Sequence, residues 1–256
     1  MWLVYEVPFE RVAHLVTVPV TLNGVETAFV FDSGIGVTLV RRTGACVTTA
    51  ETFTGRRMSG QAVPVPLATA PSLAFAGLEQ TDVSVGVLDL TLPPELDHIG
   101  GFLSLAFFAE HAVTIDYPRG VVRIGGGDGT ELDVRVERDG PSVGVHLPLT
   151  IPGGEAIEVE VDMGSDALIL DERFAQLAGE PERVVEGVDE TGNTYRRSFA
   201  TLRGSIHPTA APELAQEDPD VMFQSIVYDG LVGDAFLRRY AVTFDVAASR
   251  LVLSRG

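Results

Sequence analysis

The sequence predicts a mostly β protein made of two halves with one plan, and three observations predict it. An apolar run that ends in Asp-x-Gly occurs twice, as FVFDSG at Phe29 to Gly34 and VEVDMG at Val159 to Gly164, with Asp32 and Asp162 130 residues apart. A second pair of segments, Gly101 to Ile124 and Gly230 to Leu253, aligns without a gap at an offset of 129. Period-two stretches such as VHLPLTI and VTIDY, with many Gly and Pro and few long amphipathic runs, belong to strands and tight turns.

The front end of each half reads strand, tight turn, strand, then Asp-x-Gly. Val18 to Gly34 turns at Asn23-Gly24 and Leu147 to Gly164 at Gly153-Gly154, the second copy carrying one extra residue in the turn. Asp-Ser-Gly alone is ordinary turn chemistry; the doubling sets it apart. At the rear end, Gly101/Gly230, Ala106/Ala235, Phe107/Phe236, Ala112/Ala241, Val113/Val242, Thr114/Thr243 and Asp116/Asp245 coincide. Asp116 and Asp245 close the repeat and are expected to form or cap turns. The best helix candidates are short: LSLAFFAEH near Leu103, ERFAQLAG near Glu172 and DAFLRRY near Asp234. GGGDG, Gly125 to Gly129, is expected as a flexible linker, and GGGDGTELD, Gly125 to Asp133, as the boundary between an N-terminal lobe 1–128 with Asp32 and a C-terminal lobe 129–256 with Asp162.

Composition narrows the chemistry. The 256 residues, 45% of them hydrophobic, suffice for one or two cores. All 18 basic residues are arginine, which excludes a Schiff-base lysine and the lysine-bearing phosphate loop. A net charge of -18 with scattered arginine pairs argues against nucleic acid as a partner. The five histidines never approach His-Glu-x-x-His spacing, so a zinc-hydrolase helix is not expected. The single cysteine, Cys46, reads as a small apolar filler. With Glu6 and Glu10 where a leader would be basic or apolar, and no long apolar run, the reading is a soluble protein without membrane association and with a cytoplasmic address.

Two carboxylates on equivalent turns of similar lobes would face each other. Like charges about 3 Å apart cannot both ionise, so the pair would share one proton, one member serving as base and the other as acid. Gly34 and Gly164 would let backbone N–H groups approach the carboxylates. Ser33 is placed to hydrogen-bond across the lobe interface. Ser165 is expected to donate to Asp162 and favour its ionised form over that of Asp32, whose equivalent neighbour, Ile35, offers nothing.

Asp32-Ser33-Gly34 and Asp162-Met163-Gly164-Ser165, each followed about 70 residues later by a hydrophobic-hydrophobic-Gly-like element, resemble the aspartic proteases of the pepsin and retropepsin type, most of all small bacterial forms with both lobes in one chain. The resemblance covers nearly the whole chain and is closest at GDAFLRRYAVTFD. It implies two pseudo-twofold-related β-barrel lobes of the acid-protease fold with a few short helices. It also implies an aspartic endopeptidase in which Asp32 and Asp162 activate a water against a peptide carbonyl, with no metal and no cofactor. Leu103-Ser104 and Val232-Gly233 would pass beneath the dyad. A β-hairpin flap would close over an extended peptide or unfolded protein substrate, with Met58, Ser59 and Gly60 in the first half or Asn193 and Tyr195 in the second as candidates; the second reads better as a hairpin. With both aspartates in one chain, no oligomer is required for catalysis.

Three positions depart from the family pattern. Met163 replaces the hydroxyl residue, Ser104 replaces a glycine, and no tyrosine lies between Asp32 and Gly101. They keep open an alternative, a catalytically weak or inactive peptide-binding protein of the same fold. The sequence pI near 4.5 points to a weakly acidic to neutral optimum, and the negative charge favours neutral or basic peptides.

Overall fold

Asn23 and Gly24 turn the chain as expected. Both take left-handed conformations, φ +50° and +80°, the geometry of a two-residue hairpin whose twist matches its strands. In the computed structural model, which describes residues 5–42, 46–88, 92–188 and 194–255, the protein is mostly β. Its first strands are β1 (Glu6–Pro8), β2 (Glu10–Val12), β3 (Leu15–Leu22), β4 (Val25–Phe31), β5 (Leu39–Arg41), β6 (Val47–Arg56), β7 (Ala62–Phe75), β8 (Leu78–Leu88) and β9 (Ile99–Leu103). The middle supplies β10 (Val113–Asp116), β11 (Val121–Ile124) and β12 (Thr130–Asp133). Then come β13 (Arg135–Asp139), β14 (Ser142–Thr150), β15 (Ala156–Val161), β16 (Leu168–Asp171), β17 (Arg183–Val188), β18 (Thr194–Thr201), β19 (Ser205–Pro208), β20 (Gln216–Glu217), β21 (Asp220–Gln224), β22 (Gly230–Val232), β23 (Tyr240–Asp245) and β24 (Arg250–Arg255).

One strand order occurs twice. The first sheet runs β2-β3-β4-β9-β5-β8-β7-β6, and in the second the neighbours run β13-β14-β15-β22-β16-β21-β18-β17, with β19 and β20 added beyond β14. In each, the strand ending at the Asp-x-Gly pairs parallel with a later strand, β4 with β9 and β15 with β22. That later strand then pairs antiparallel with the strand leaving the motif, β5 or β16. Such a threaded strand is crowded on both sides, which gives the repeated Gly101/Gly230 a physical reason. A Cβ on Gly101 would collide with the Leu39 carbonyl and the Phe29 ring, and one on Gly230 would lie 2.8 Å from the Ile169 carbonyl oxygen.

The rear ends of the repeat meet in a third sheet, β1-β11-β10-β23-β24-β12, to which residues on each side of the 128/129 boundary give three strands. Thr114 pairs with its own repeat counterpart, Thr243, and their hydroxyls lie 2.7 Å apart. Asp116 and Asp245 act as expected, each accepting a backbone N–H three residues on, from Arg119 and Ala248, at 3.0 Å. A single buried apolar cluster extends from Val16 through Phe31, Leu103, Phe108, Val161 and Val232 to Leu253 and so joins both halves.

The three helix candidates form short turns, Leu105–Phe108, Glu172–Leu177 and Asp234–Leu237. Gly125 to Gly129 departs from the expected flexible linker. Gly125 accepts from the Thr114 hydroxyl at 2.9 Å, and Cβ atoms on Gly127 and Gly129 would press on Thr243 and on the Leu253 carbonyl, so the run lies flat on the six-stranded sheet. Gly101→Ala is expected to destabilise the fold by at least about 2 kcal/mol in urea unfolding, because it overpacks against backbone. Gly126→Ala, with open space at that position, should stay within about 0.5 kcal/mol.

Candidate active site

Each Asp-x-Gly loop hangs from the strand threaded beside it. The backbone N–H of Asp32 donates to Leu103 O and that of Asp162 to Val232 O, both at 3.0 Å. The apolar run before Asp32 is explained by this placement, since Phe29, Val30 and Phe31 are wholly buried between β3 and β9. Asp32 Oδ1 accepts from the N–H groups of Gly34 and Ile35 at 2.9 and 3.2 Å. Asp162 Oδ1 accepts from Gly164 N–H at 2.8 Å, and the Ser165 N–H donates to the Asp162 main-chain carbonyl at 3.2 Å.

The two loops interlock. A Cβ on Gly34 would overlap the Asp162 carboxyl, and one on Gly164 would overlap the Asp32 carboxyl, so each glycine is the floor for the opposite aspartate. The two carboxyl groups thus face one another across the interlocked glycines. Ser33, fully buried, donates to Val161 O at 2.7 Å and accepts from Met163 N–H at 2.9 Å, which ties the motifs together across 128 residues of sequence. Met163 fills the counterpart position with an apolar side chain, 1% exposed.

Burial, the Asp162 charge and the bond from Asp162 push the Asp32 carboxyl well above the ordinary aspartate value. Burial and the charge of Glu160 push Asp162 up to about 6, against the pull of its backbone donors and of Asp32. The pair therefore retains one proton into the neutral range. The donors are not those expected. Ser165 Oγ accepts from Ala167 N–H at 3.4 Å and the Ser165 N–H bonds the Asp162 main-chain carbonyl, whereas the Ile35 N–H does reach the Asp32 carboxyl.

Beneath the dyad, Gly233 has no room for a Cβ, which would strike the carbonyls of Ser165 and Ala167. Ser104 is accommodated because Thr38 supplies a hydroxyl instead: Thr38 Oγ1 lies 3.1 Å from Ser104 Oγ and accepts from Ser104 N–H at 3.2 Å. Ser104 Oγ also caps the following short helix at Ala106 N–H.

Both flap candidates lie on hairpins, β6–β7 and β17–β18. The first, with the plainer pattern, crosses to the other half. Its turn is closed by Arg57 N–H to Gln61 O at 2.9 Å, and Met58 O accepts from Val227 N–H at 2.8 Å. Met58 packs beside Ile169, Met222 and Leu231, Gly60 takes φ +83° against Val227, and Ser59 is exposed. In the second hairpin Tyr195 lies across Gly187 of its own partner strand and beneath the Arg197 guanidinium; Asn193 lies outside the described residues.

Several side chains at the site gave no motif in the sequence. His14, in the β2–β3 turn, lies 3.0 Å from Gly164 O, while Val143 N–H, at the start of β14, bonds Gly36 O at 3.2 Å, so each half props the other's loop. Arg11 pairs with the buried Asp234 at 2.7 Å. Glu160, two residues before Asp162, is 9% exposed, and burial and the Asp32 charge push it up to about 8. Its signal was the alternation of Glu158, Glu160 and Asp162 along β15, which puts all three on one strand face.

No family model and no curated protein matches this chain. Among the described residues, no three His, Cys, Asp or Glu side chains converge as a metal site, and no helix is long and apolar enough to cross a membrane. Chemically, a hydrogen-bonded acid and carboxylate held by fixed amides can take a proton from a water on one side and deliver one to a carbonyl oxygen on the other.

Ser33→Ala removes one donor and one acceptor at a fully buried position, and should lower stability by about 2–4 kcal/mol in urea unfolding. For Glu160 the folded value lies above the unfolded one, so the carboxyl holds its proton where the unfolded chain has released it. Its penalty is absent below about pH 4 and grows as pH rises towards 8. Glu160→Gln should therefore stabilise the protein by on the order of 1–3 kcal/mol at pH 7 and by little at pH 4.5, read from urea midpoints at both pH values.

Proposed function

We propose that the protein is an aspartic endopeptidase of the pepsin and retropepsin type, with two pseudo-twofold-related lobes supplying one aspartate each. The observation that carries this reading is the reciprocal seating of Asp32 and Asp162, each on the other's glycine, with burial raising both carboxyls. The doubled strand order and the pairing of Thr114 with Thr243 support the lobes, since a residue meets its own counterpart only at a local twofold axis.

Ionised Asp162 takes a proton from a water placed between the carboxyls, and the resulting hydroxide attacks the peptide carbonyl carbon. Asp32 gives its proton to the carbonyl oxygen, forming a gem-diol. Asp162, now protonated, passes its proton to the amide nitrogen while Asp32 recovers one from the diol. The C–N bond breaks, leaving a carboxylic acid and an amine, and the pair again holds one proton. Pre-positioned N–H donors at Gly34, Ile35 and Gly164 keep both carboxyls in register without reorganisation during the reaction. The substrate is an extended peptide lying under the β6–β7 hairpin, whose tip opens from Val227 to admit it. One chain contains the whole dyad.

Turnover requires one ionised and one protonated carboxyl. It should rise as pH passes about 6, where Asp162 ionises, and fall again when Asp32 loses its proton at higher pH. A peptide library assayed from pH 3.5 to 8.5 is expected to show a near-neutral optimum. Asp32→Asn and Asp162→Asn should each lower kcat by about 10³-fold or more, and a statine-type inhibitor should block the wild type. A folded wild type that binds the inhibitor yet cleaves nothing would leave a peptide-binding protein; peak turnover below pH 3.5 would refute the proton assignment.

A further inference from the structure

We infer that Glu160 makes this site select peptides with a cationic side chain, arginine or lysine, at a residue flanking the scissile bond. The inference rests on the peptidase reading and names its substrate class.

Glu160 lies near the end of β15 and Asp162 just past it, two residues and about 6–7 Å along an extended chain, which is the reach of one or two residues of a peptide crossing the dyad. At the equivalent position of the first half stands Val30, fully buried and apolar. The two copies thus differ by a carboxyl beside the reacting atoms. Leu231 pairs with Glu160 across β22, and Leu231 packs in the apolar patch that holds Met58 of the crossing hairpin. An arginine or lysine stem can lie along such a patch while its head reaches a carboxylate.

No cation of the protein answers Glu160. Among the described residues its carboxyl has no hydrogen bond and no ion pair, although the residue is nine-tenths buried. Asp32 and Asp162 lie on one side and Glu137 beyond, all acidic. Arg135 is engaged by Glu158 at 2.7 Å and Glu137 at 2.8 Å. His146, directly across from Glu160 on β14, faces Glu137 at 3.4 Å and the Tyr228 ring, and burial pushes it towards the neutral form. The Tyr228 hydroxyl, pushed up to about 12, carries no charge to offset it. A carboxylate enclosed without a partner is unfavourable, and a cationic substrate side chain would supply the partner in a charge-assisted bond. Because that cation favours the ionised form of Glu160, the preference should strengthen from pH 6 to pH 8.

The test uses the full chain and paired peptides that differ only by arginine or norleucine, placed in turn on each side of the scissile bond. At pH 7.5 the wild type should favour one arginine peptide in kcat/KM by about tenfold or more. Glu160→Gln and Glu160→Val should bring that ratio to about one or below. A ratio cancels any common effect on the dyad through Asp162. Equal kcat/KM for both peptides in the wild type, or a preference surviving in both variants, overturns the inference and leaves the peptidase reading standing. If nothing is cleaved, the peptidase reading fails separately, and reduced-amide versions of the same peptides are titrated by fluorescence polarisation. Tighter wild-type binding of the arginine form, lost in Glu160→Gln, supports the inference; equal binding or none overturns it.

Discussion

Two carboxyl groups that must both sit below the surface and touch each other constrain nearly everything around them. Neither can be solvated fully, and both cannot be charged, so the fold has to supply fixed donors and a shared proton. Short Asp-x-Gly turns provide the donors, because the chain folds back within two residues and points N–H groups at the preceding carboxyl. Glycine at the third position then serves a second purpose that turn chemistry alone would not require. It clears space for the opposite carboxyl, and a Cβ on either glycine would prise the pair apart.

Holding two loops at that distance needs bonds that run between halves, and they do. Ser33 binds both neighbours of Asp162, His14 reaches Gly164 O, and Val143 reaches Gly36 O. Farther below, the six-stranded sheet joins β10 to β23 through continuous backbone pairing, and one apolar cluster runs across the join. Ser33 acts alone here, since Met163 cannot return the hydroxyl bond. Its packing in the core is the substitute: dispersion contacts of an enclosed thioether replace one polar tie.

Much of this was legible because repetition is legible. Asp32, Asp162, Gly101, Gly230 and the Thr114/Thr243 pair are all fixed by one strand order used twice, and a doubled constraint writes itself twice in the sequence. What escaped notice lies where one residue solves a problem created by another far away. Ser104 looked like an intrusion under the dyad until Thr38, 66 residues earlier, was seen to meet it. The hydroxyl of Ser165 suggests a donor to Asp162, yet the Gly164 amide fills that place, because backbone donors have no signature in residue type. The Gly125 to Gly129 run looked like a linker because glycine composition does not distinguish freedom from tight packing; at Gly127 and Gly129 the second applies. The β6–β7 hairpin had the weaker turn signal, yet its reach across the molecule depends on Met58 finding Leu231 and Ile169, a tertiary fact.

The asymmetries between the copies follow a rule of their own. In the proposed peptidase, symmetric positions such as Gly34 and Gly164 would serve the dyad, since an acid and its conjugate base exchange roles during the reaction. Two of the asymmetric pairs would flank the place of a peptide, and a peptide has direction, with different side chains on its two ends. Val30 against Glu160 is the sharpest case: an apolar wall on one side of the pair and a carboxyl on the other. The hairpins differ in the same sense, because the described tip of the first crosses to Val227 whereas Tyr195 of the second stays against its own strand. Glu160 also couples the two roles. Where Glu160 is ionised its charge lifts Asp162, and a cation that pairs with it would offset that lift and favour the ionised base when the substrate arrives. Recognition of a positive side chain and readiness of the dyad would then be one electrostatic event.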